Sequence, residues 1–400
     1  MSVDILILNT AVVDIRSGEF RFVEKLAGPG GLAKCKISDM PKYSQKQYQN
    51  WLNGGFATSG GAGNTAPLIA RTGIKTAIGV NLGRGDFGGI DIQGRYFYNE
   101  MVRNNVDMSE TFVHPELPTA ITFIYDKENA ERGGLAYFPN CNDDFDFDRY
   151  KGAVERLKPK VVYYMYSGLS EKGDANNGMD LAEFIKWCRS RGAVTIVDSH
   201  TLTGNPQQLI EAKEPVKEYK LLLPLLPELD LFLTSYDEAR MIENTIGGKD
   251  KFLNLTKEEY ICYFLNFLAD MFWQDDNRAR IFGVTVNNGV IVKYKDAEGN
   301  IFESEKIESD FMLGEVIDLV GAGDSFRAGL MAYITQNIED FKGGQINIRE
   351  AIQLGNLFAS VYIKSPLGNR YGNIEAYEKM LKISQSKIKF GSFEKLIKTI

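Results

Sequence analysis

The stretch with the most chemical content is DLVGAGDSFRAGLM, residues 318–331. Gly321 and Gly323 flank Ala322, Asp324 follows at once, and a helical pattern of apolar residues then runs through Tyr333. Glycines at this spacing let a backbone curl its amides toward one point, and a helix starting near Asp324 aims its positive end at the same place. Such an arrangement stabilises phosphate oxygens. The carboxylate of Asp324 would serve equally well as an N-cap that accepts hydrogen bonds from the first free amides of the helix. Arg327, one turn on, opposes the helix dipole, which favours a side chain turned to solvent or to a surface ion pair over one that binds phosphate.

A second constellation is GGAGN, residues 60–64. Gly60 and Gly61 would let a polyol approach the backbone closely, and Asn64 can both donate and accept hydrogen bonds, the pairing that sugar hydroxyls need. Standing alone, the same residues would read as a tight turn with a helix cap.

Taken together the two stretches resemble the ribokinase-like (PfkB) carbohydrate kinases. That family's second signature has an acid, a GAGD core and a small-residue helix, matched by Asp318, Gly321, Ala322, Gly323, Asp324, Ala328 and Gly329, with Leu319 where Thr, Ser, Pro or Val is usual. Its first signature is matched by Gly60, Gly61, Ala62, Asn64, Ala66, Gly73 and Gly83. The signatures stand in the right order, about 260 residues apart, and the resemblance covers roughly residues 4–368, leaving the C-terminal tail outside it. It implies ATP with Mg2+ as phosphoryl donor, Asp324 as the base toward an acceptor hydroxyl, and the 321–324 loop as an anion hole. It also implies a substrate site of Gly60, Gly61, Asn64 and Asp14, the acid that follows NTAVV at the end of the first strand. A carboxylate can accept two neighbouring hydroxyls, although Asp14, two residues before Arg16, would also suit an exposed hairpin. Finally, the resemblance makes Asp318 and the carbonyl of Val320 candidates to hold a monovalent cation, K+.

Departures from the family pattern bear on the donor side. Family members carry N-x-x-E after a strand, with a Glu that organises magnesium through water; here Glu238 aligns and Ser235 replaces the Asn. Looser metal positioning is the expectation, since Mg2+ keeps several waters and tolerates outer partners. Glu238 would also serve as a first-turn acid favoured by the helix dipole. VTVNNG, residues 284–289, retains Thr285 and Gly289 of the nucleotide-side turn but has Asn287 in place of a Gly, which predicts an unusual nucleotide pocket. Asn356 and Gly368 fall where the resemblance implies an adenine-side helix and loop, and both are also ordinary helix and turn material.

The elements that must position these residues can be read from periodicity. Buried-strand runs at 5–8, 76–80, 161–165, 193–197 and 231–234 alternate with helical patterns at 91–104, 179–191 and 258–273, with Gly73 and Gly192 where helices should stop. This alternation predicts an α/β, doubly wound, mostly parallel sheet with helices on both faces. Two stretches break it: 16–59, with a helix expected around 44–52, and 111–139, where TAITFIYDK and GGLAYF flank a polar turn at 128–134 as in a β-hairpin. These form the expected small β-rich lid, under which substrate binds and which excludes water that would otherwise accept the phosphoryl group. The segment 374–400 reads as one or two amphipathic helices of structural purpose.

Composition bounds the remaining possibilities. The 400 residues are 44% hydrophobic and 25% charged, an ordinary globular mixture, and the net charge of -7 leaves no global positive field to gather nucleic acid or anionic membrane. Cys35, Cys141, Cys188 and Cys262 show no zinc or disulfide spacing, and no run reaches the roughly 18 apolar residues of a membrane span. These features fit a cytoplasmic setting, and the resemblance implies a carbohydrate kinase there, with a sugar as acceptor and a nucleoside, as in adenosine kinases, as the alternative. A catalytically silent ligand-binding protein on the same scaffold is the reading from another class. The lid sheets of the family often pair, which makes a homodimer through the lid an expectation as well.

Overall fold

The computed structural model of the chain describes residues 2–86, 89–125, 133–247, 255–273, 276–386 and 390–400. Its strands, in chain order, are β1 (Ile5–Leu8), β2 (Ala11–Ser17), β3 (Leu32–Lys34), β4 (Ala57–Gly61), β5 (Thr76–Gly79), β6 (Asn81–Gly83), β7 (Phe112–His114), β8 (Ala120–Tyr125), β9 (Leu135–Phe138), β10 (Val161–Tyr164), β11 (Val194–Val197), β12 (Leu231–Ser235), β13 (Arg280–Val286), β14 (Gly289–Lys295) and β15 (Glu305–Glu308). The central sheet runs β15-β14-β13-β12-β11-β10-β1-β5, parallel from β5 to β13 and antiparallel at the last two strands. Its inner strands are apolar on both faces because helices cover both: Ile5 and Ile7 enter one apolar cluster while Leu6 and Leu8 enter the other, and Val161 and Tyr163 separate in the same way from Val162 and Tyr164.

The chain leaves this sheet at Asn9 and Thr10, both at positive φ, and enters β2, a strand of a second sheet with order β3-β9-β8-β2-β4. NTAVV is thus not the end of the first strand, and Asp14 lies in the middle of the second. The expected hairpin is present, with β8 and β9 antiparallel; its turn lies outside the described residues up to position 132. β7, by contrast, pairs with β6 away from this sheet. The outer layer is held by an aromatic cluster in which Phe20 meets Phe123 at 4.9 Å and Trp51 at 5.0 Å between ring centroids. Trp51 comes from the helix Gln45–Asn53, which starts where Ser44 and Gln47 form a capping box.

The helix Ala322–Gln336 is buried along nearly its whole length and packs against the helices Ile348–Ile363 and Ala66–Arg71. The helices Tyr377–Ser384 and Phe393–Thr399 close the chain. Among the described residues no helix is long and apolar enough to cross a membrane.

Candidate active site

Asp324 is buried in the first turn of the helix Ala322–Gln336. The N-cap is Gly321, at φ 87°, without a capping side chain. A Cβ at Gly321 would come within 2.8 Å of the Tyr362 ring and 3.0 Å of the Asn64 amide carbon, so both its backbone angle and its surroundings require glycine. Asp324 therefore does not cap the helix. Its Oδ2 accepts hydrogen bonds from Asn64 Nδ2 at 2.8 Å and from the Tyr166 hydroxyl at 2.6 Å.

The glycine loop separates two hollows. On one side lies a small enclosed space of about 50 Å³, lined by Val320, Gly321 and Asp324 of the loop together with Asp14, Asn64 and His200. On the other lies a wider hollow of about 340 Å³, lined by Ala322 and Gly323 together with Ser235, Thr285, Gly289 and Asn356. Both open beyond the carboxyl ends of the central parallel strands, where open α/β sheets bind ligands.

In the small hollow the polar groups converge. Burial pushes the Asp14 carboxyl up to about 6, against the opposing pull of the Arg16 guanidinium and the Thr122 hydroxyl. Gly60 makes room for that carboxylate, since a Cβ there would stand 2.4 Å from Asp14 Oδ2. Gly61 lines the hollow itself. Asn64 is held by the Tyr362 hydroxyl, which donates to its Oδ1 at 2.6 Å and so fixes which amide atom faces Asp324.

The large hollow gathers four of the six residues expected on the nucleotide side. Gly368 is not among them: it lines a separate hollow with Leu367 and Tyr371, between the helices Gln45–Asn53 and Ile92–Arg103. Glu238 does not line the large hollow either. It completes a capping box with Ser235, and its carboxylate accepts from the Ser235 amide at 2.8 Å, Thr234 Oγ1 at 2.9 Å and Thr201 Oγ1 at 3.1 Å. Burial would raise its carboxyl, but His200, the Ser235 amide and Arg327 outweigh that and hold it below the usual range. With three donors already on it, Glu238 suits contact with a metal through water rather than direct ligation. Among the described residues no group of three or more His, Cys, Asp or Glu is placed to hold a metal ion.

Two further expectations meet a different arrangement. Arg327 does not face solvent. It is buried, pairs with Asp198 Oδ1 at 3.0 Å, donates to the Leu233 carbonyl at 2.6 Å and lies 3.8 Å from Asp324 Oδ1. The helix is packed all round, so this side chain offsets its unfavourable position at the dipole by neutralising buried acids. Asp318 and Val320, the candidates for a cation, are engaged by arginines: Arg16 and Arg370 both donate to Asp318 Oδ2, and Arg370 also donates to the Val320 carbonyl.

Several site residues carried no sequence signal. Tyr166 and His200 follow β10 and β11 at positive φ, with their rings 4.3 Å apart, and nothing in their neighbourhood in sequence marks them. Tyr236, Asp237 and Lys257 join the large hollow. Asp237 and Lys257 stand in helical first turns, positions that acids and solvated lysines commonly fill without function.

Comparison with known proteins adds a partial family match and a fold. Residues 289–371 match the family profile described as pfkB family carbohydrate kinase. No curated protein sequence matches the chain. Among solved structures, a probable sugar kinase protein from Rhizobium etli is 18% identical with a TM-score of 0.59, covering 94% of this chain and 100% of its own. Adenosine kinase from Schistosoma mansoni, in complex with 2-fluoroadenosine, is 17% identical with a TM-score of 0.62 over 90% of this chain and 95% of its own. An Escherichia coli protein in complex with ATP and Mg2+ is 14% identical with a TM-score of 0.57 over 95% of this chain and 99% of its own. At such identities the likeness is one of fold.

Proposed function

Because the chain has the ribokinase-like PfkB fold, with a pfkB carbohydrate kinase match over residues 289–371, we propose that it is an ATP-dependent phosphotransferase acting on a hydroxyl of a small polyol. The observation that carries this reading is the glycine loop standing between two hollows, with Asp324 facing the small one and the Ala322 and Gly323 backbone facing the large one. Phosphoryl transfer needs an acceptor and a donor on opposite sides of an anion-stabilising element, with a carboxylate on the acceptor side.

In this mechanism Asp14 and Asn64 hold neighbouring hydroxyls of the acceptor, and Asp324 takes the proton of the attacking one. The new bond joins that oxygen to the γ-phosphorus, the bond from the γ-phosphorus to the bridging oxygen breaks, and ADP leaves. Amides of residues 322–324 at the helix N-terminus stabilise the charge on the transferring group. Mg2+ would be carried chiefly by the phosphates, with Glu238 reaching it through water, and would neutralise charge on the leaving oxygens. Ser235, Thr285, Gly289 and Asn356 form the nucleotide side.

We take a sugar as the first acceptor, because the walls of the small hollow offer carboxylate, amide and imidazole groups, and a nucleoside as the second, because Val12, Leu32, Leu135 and Leu169 line it as well. The rings of Tyr137 and Tyr166 that reach it have their hydroxyls committed to Asn142 and Asp324. A screen of pentoses, hexoses, sugar acids and nucleosides with Mg2+ and ATP identifies the acceptor, and Asp324→Asn tests the mechanism. One oxygen of Asp324 accepts both hydrogen bonds, so Asn presenting its amide oxygen keeps them; the lost charge opposite Arg327, which retains Asp198, should cost about 1 to 3 kcal/mol of stability and leave the protein folded. Loss of the base should lower kcat by about 10² to 10⁴ with both ligands still bound. Turnover within threefold of the parent would remove Asp324 from the chemistry, and silence across the whole screen with intact nucleotide binding would favour a ligand-binding protein.

A further inference from the structure

The acid that opens the glycine loop already accepts three hydrogen bonds, two of them from guanidinium groups. Asp318 Oδ1 accepts from the Val320 amide at 2.8 Å, and Oδ2 accepts from Arg16 Nη2 at 2.6 Å and from Arg370 Nη2 at 2.5 Å. Arg370 Nη1 reaches on to the Val320 carbonyl at 2.8 Å. Neither arginine is a surface side chain: Arg370 is 1% exposed and Arg16 6% exposed. An alkali cation bound by Asp318 and Val320 would compete with these guanidinium groups for Oδ2 and for the Val320 carbonyl, and it would sit against two buried positive charges. The residues do not fit a monovalent cation.

We infer that Arg370, with Arg16, does the work of a loop-organising cation, so that the glycine loop is positioned by fixed guanidinium groups and not by K+. Arg370 grips both sides of residue 319, through Asp318 and through the Val320 carbonyl, immediately before the anion-hole residues. Its guanidinium also lies 4.6 Å from the centroid of the Tyr362 ring. From Tyr362 a hydrogen-bond chain continues through Asn64 to Asp324, at 2.6 Å and 2.8 Å. Arg16 comes from β2, two residues beyond Asp14, and donates to Thr58 Oγ1 at 3.0 Å, so the same carboxylate joins the second sheet to the loop. A bidentate guanidinium fixes direction as well as charge, which a spherical ion does not. Arg370 and Arg16 are positioning residues, because their effect reaches the reacting atoms through the loop and through Asn64.

The inference rests on the kinase reading for its consequence in turnover, but it can be measured without turnover. The binding of a fluorescent adenine nucleotide and the melting temperature of the unliganded protein are recorded in NaCl, KCl, CsCl and N-methylglucamine chloride at equal ionic strength. Nucleotide affinity within about twofold across the four salts, with coincident melting curves, is expected. A tenfold or greater gain in affinity, or a melting shift, specific to KCl would overturn the inference even if the protein proves to be an active kinase. Arg370→Gln should bind the nucleotide at least about fivefold more weakly and should recover on addition of millimolar guanidinium, to which the parent does not respond. Unchanged nucleotide affinity in a folded Arg370→Gln protein would also overturn it. Should the variant not fold, the parent's salt series decides alone. A chain that binds nucleotide equally in every salt but phosphorylates no acceptor leaves the arginine assignment standing and removes the kinase reading.

Discussion

At Asp14 the fold makes a charged group costly and then gives it work. Burial raises the carboxyl from an ordinary 3.8 to about 6, with Arg16 and Thr122 pulling the other way. As pH falls through about 6 the carboxylate becomes a neutral acid, which offers a polyol fewer acceptor sites and no charge. Acceptor affinity measured by titration between about pH 5 and pH 8 should therefore weaken roughly tenfold at the acid end. Asp14→Asn should be weak and flat across the range. If the weakening survives in that variant, it belongs to Asp174 or Asp198, which burial also raises to about 6, and Asp14 is not the group that holds the acceptor. The sign for stability follows from linkage. The folded state holds a proton that the unfolded chain releases between the ordinary pKa and the raised one, so Asp14's contribution is full below about 3.8 and is lost as pH rises to about 6. Asp14→Asn should thus melt higher than the parent at neutral pH while binding acceptor worse. That combination, stability gained and binding lost, is expected of a strained functional group and not of a hairpin residue.

The glycine loop and the helix it feeds were readable because their information is local. Gly321, Gly323 and Asp324 lie within four positions of one another, and no other residue type adopts the backbone angle at Gly321 without strain. The same holds for helix ends such as Ser44 with Gln47 and for the buried parallel strands β1, β5, β10, β11 and β12, whose runs are almost wholly apolar, whereas β2, with Asp14 and Arg16, and β4, ATSGG, carry no such run. What could not be read are partners brought together by the fold: Tyr166 is 158 positions from Asp324, and Arg370 is 52 from Asp318. Arg327 was misjudged for a related reason, since a dipole argument treats the helix as isolated whereas burial against Asp198 reverses the preference. Two substitutions test the loop as an element. Gly321→Ala adds a methyl at φ 87° against Tyr362 and Asn64, so it should cost about 1 to 3 kcal/mol in stability and weaken acceptor binding by displacing Asn64. Gly368→Ala enters open space and should change neither stability nor nucleotide affinity. Nucleotide binding weakened by Gly368→Ala would return that residue to the adenine side. Glu238→Gln tests the strand-to-helix junction after β12: the amide keeps an acceptor for the cap but loses the charge, so the Mg2+ concentration for half-maximal rate should rise. An unchanged Mg2+ dependence would leave Glu238 as part of its capping box and nothing more.

At the scale of the whole molecule, the segment beyond the family match is tied to the large hollow. Leu396, in the last helix, is fully buried, and Met380, Ile383 and Phe390 join the same apolar cluster as Phe311 and Tyr362. Phe311 lies 6.5 Å from Phe390 between ring centroids, and Lys364 stands 5.9 Å over the ring of Phe393. The chain from Phe311 to Leu319 has no regular structure, yet Met312, Val316 and Leu319 along it wall the large hollow while remaining partly open to solvent. A segment without its own hydrogen-bond ladder is held in place by what packs behind it. Ile317 and Asp318 donate to the Ile363 carbonyl, and the C-terminal segment adds backing through Phe390 and Phe393, so its loss should loosen the wall of the large hollow and leave the small hollow, built from β2, the 60–64 turn and the loop after β10, much less affected. Leu396→Ala removes a fully buried side chain and should cost about 2 to 5 kcal/mol of stability, less if the end of the chain relaxes into the space. In the folded variant, nucleotide affinity should fall several-fold while acceptor affinity changes little, and hydrogen exchange should quicken across residues 311–319. Equal losses for both ligands would mean that the tail only adds to global stability, and unchanged nucleotide affinity together with unchanged exchange at 311–319 would show that this wall needs no support from the C-terminal helices.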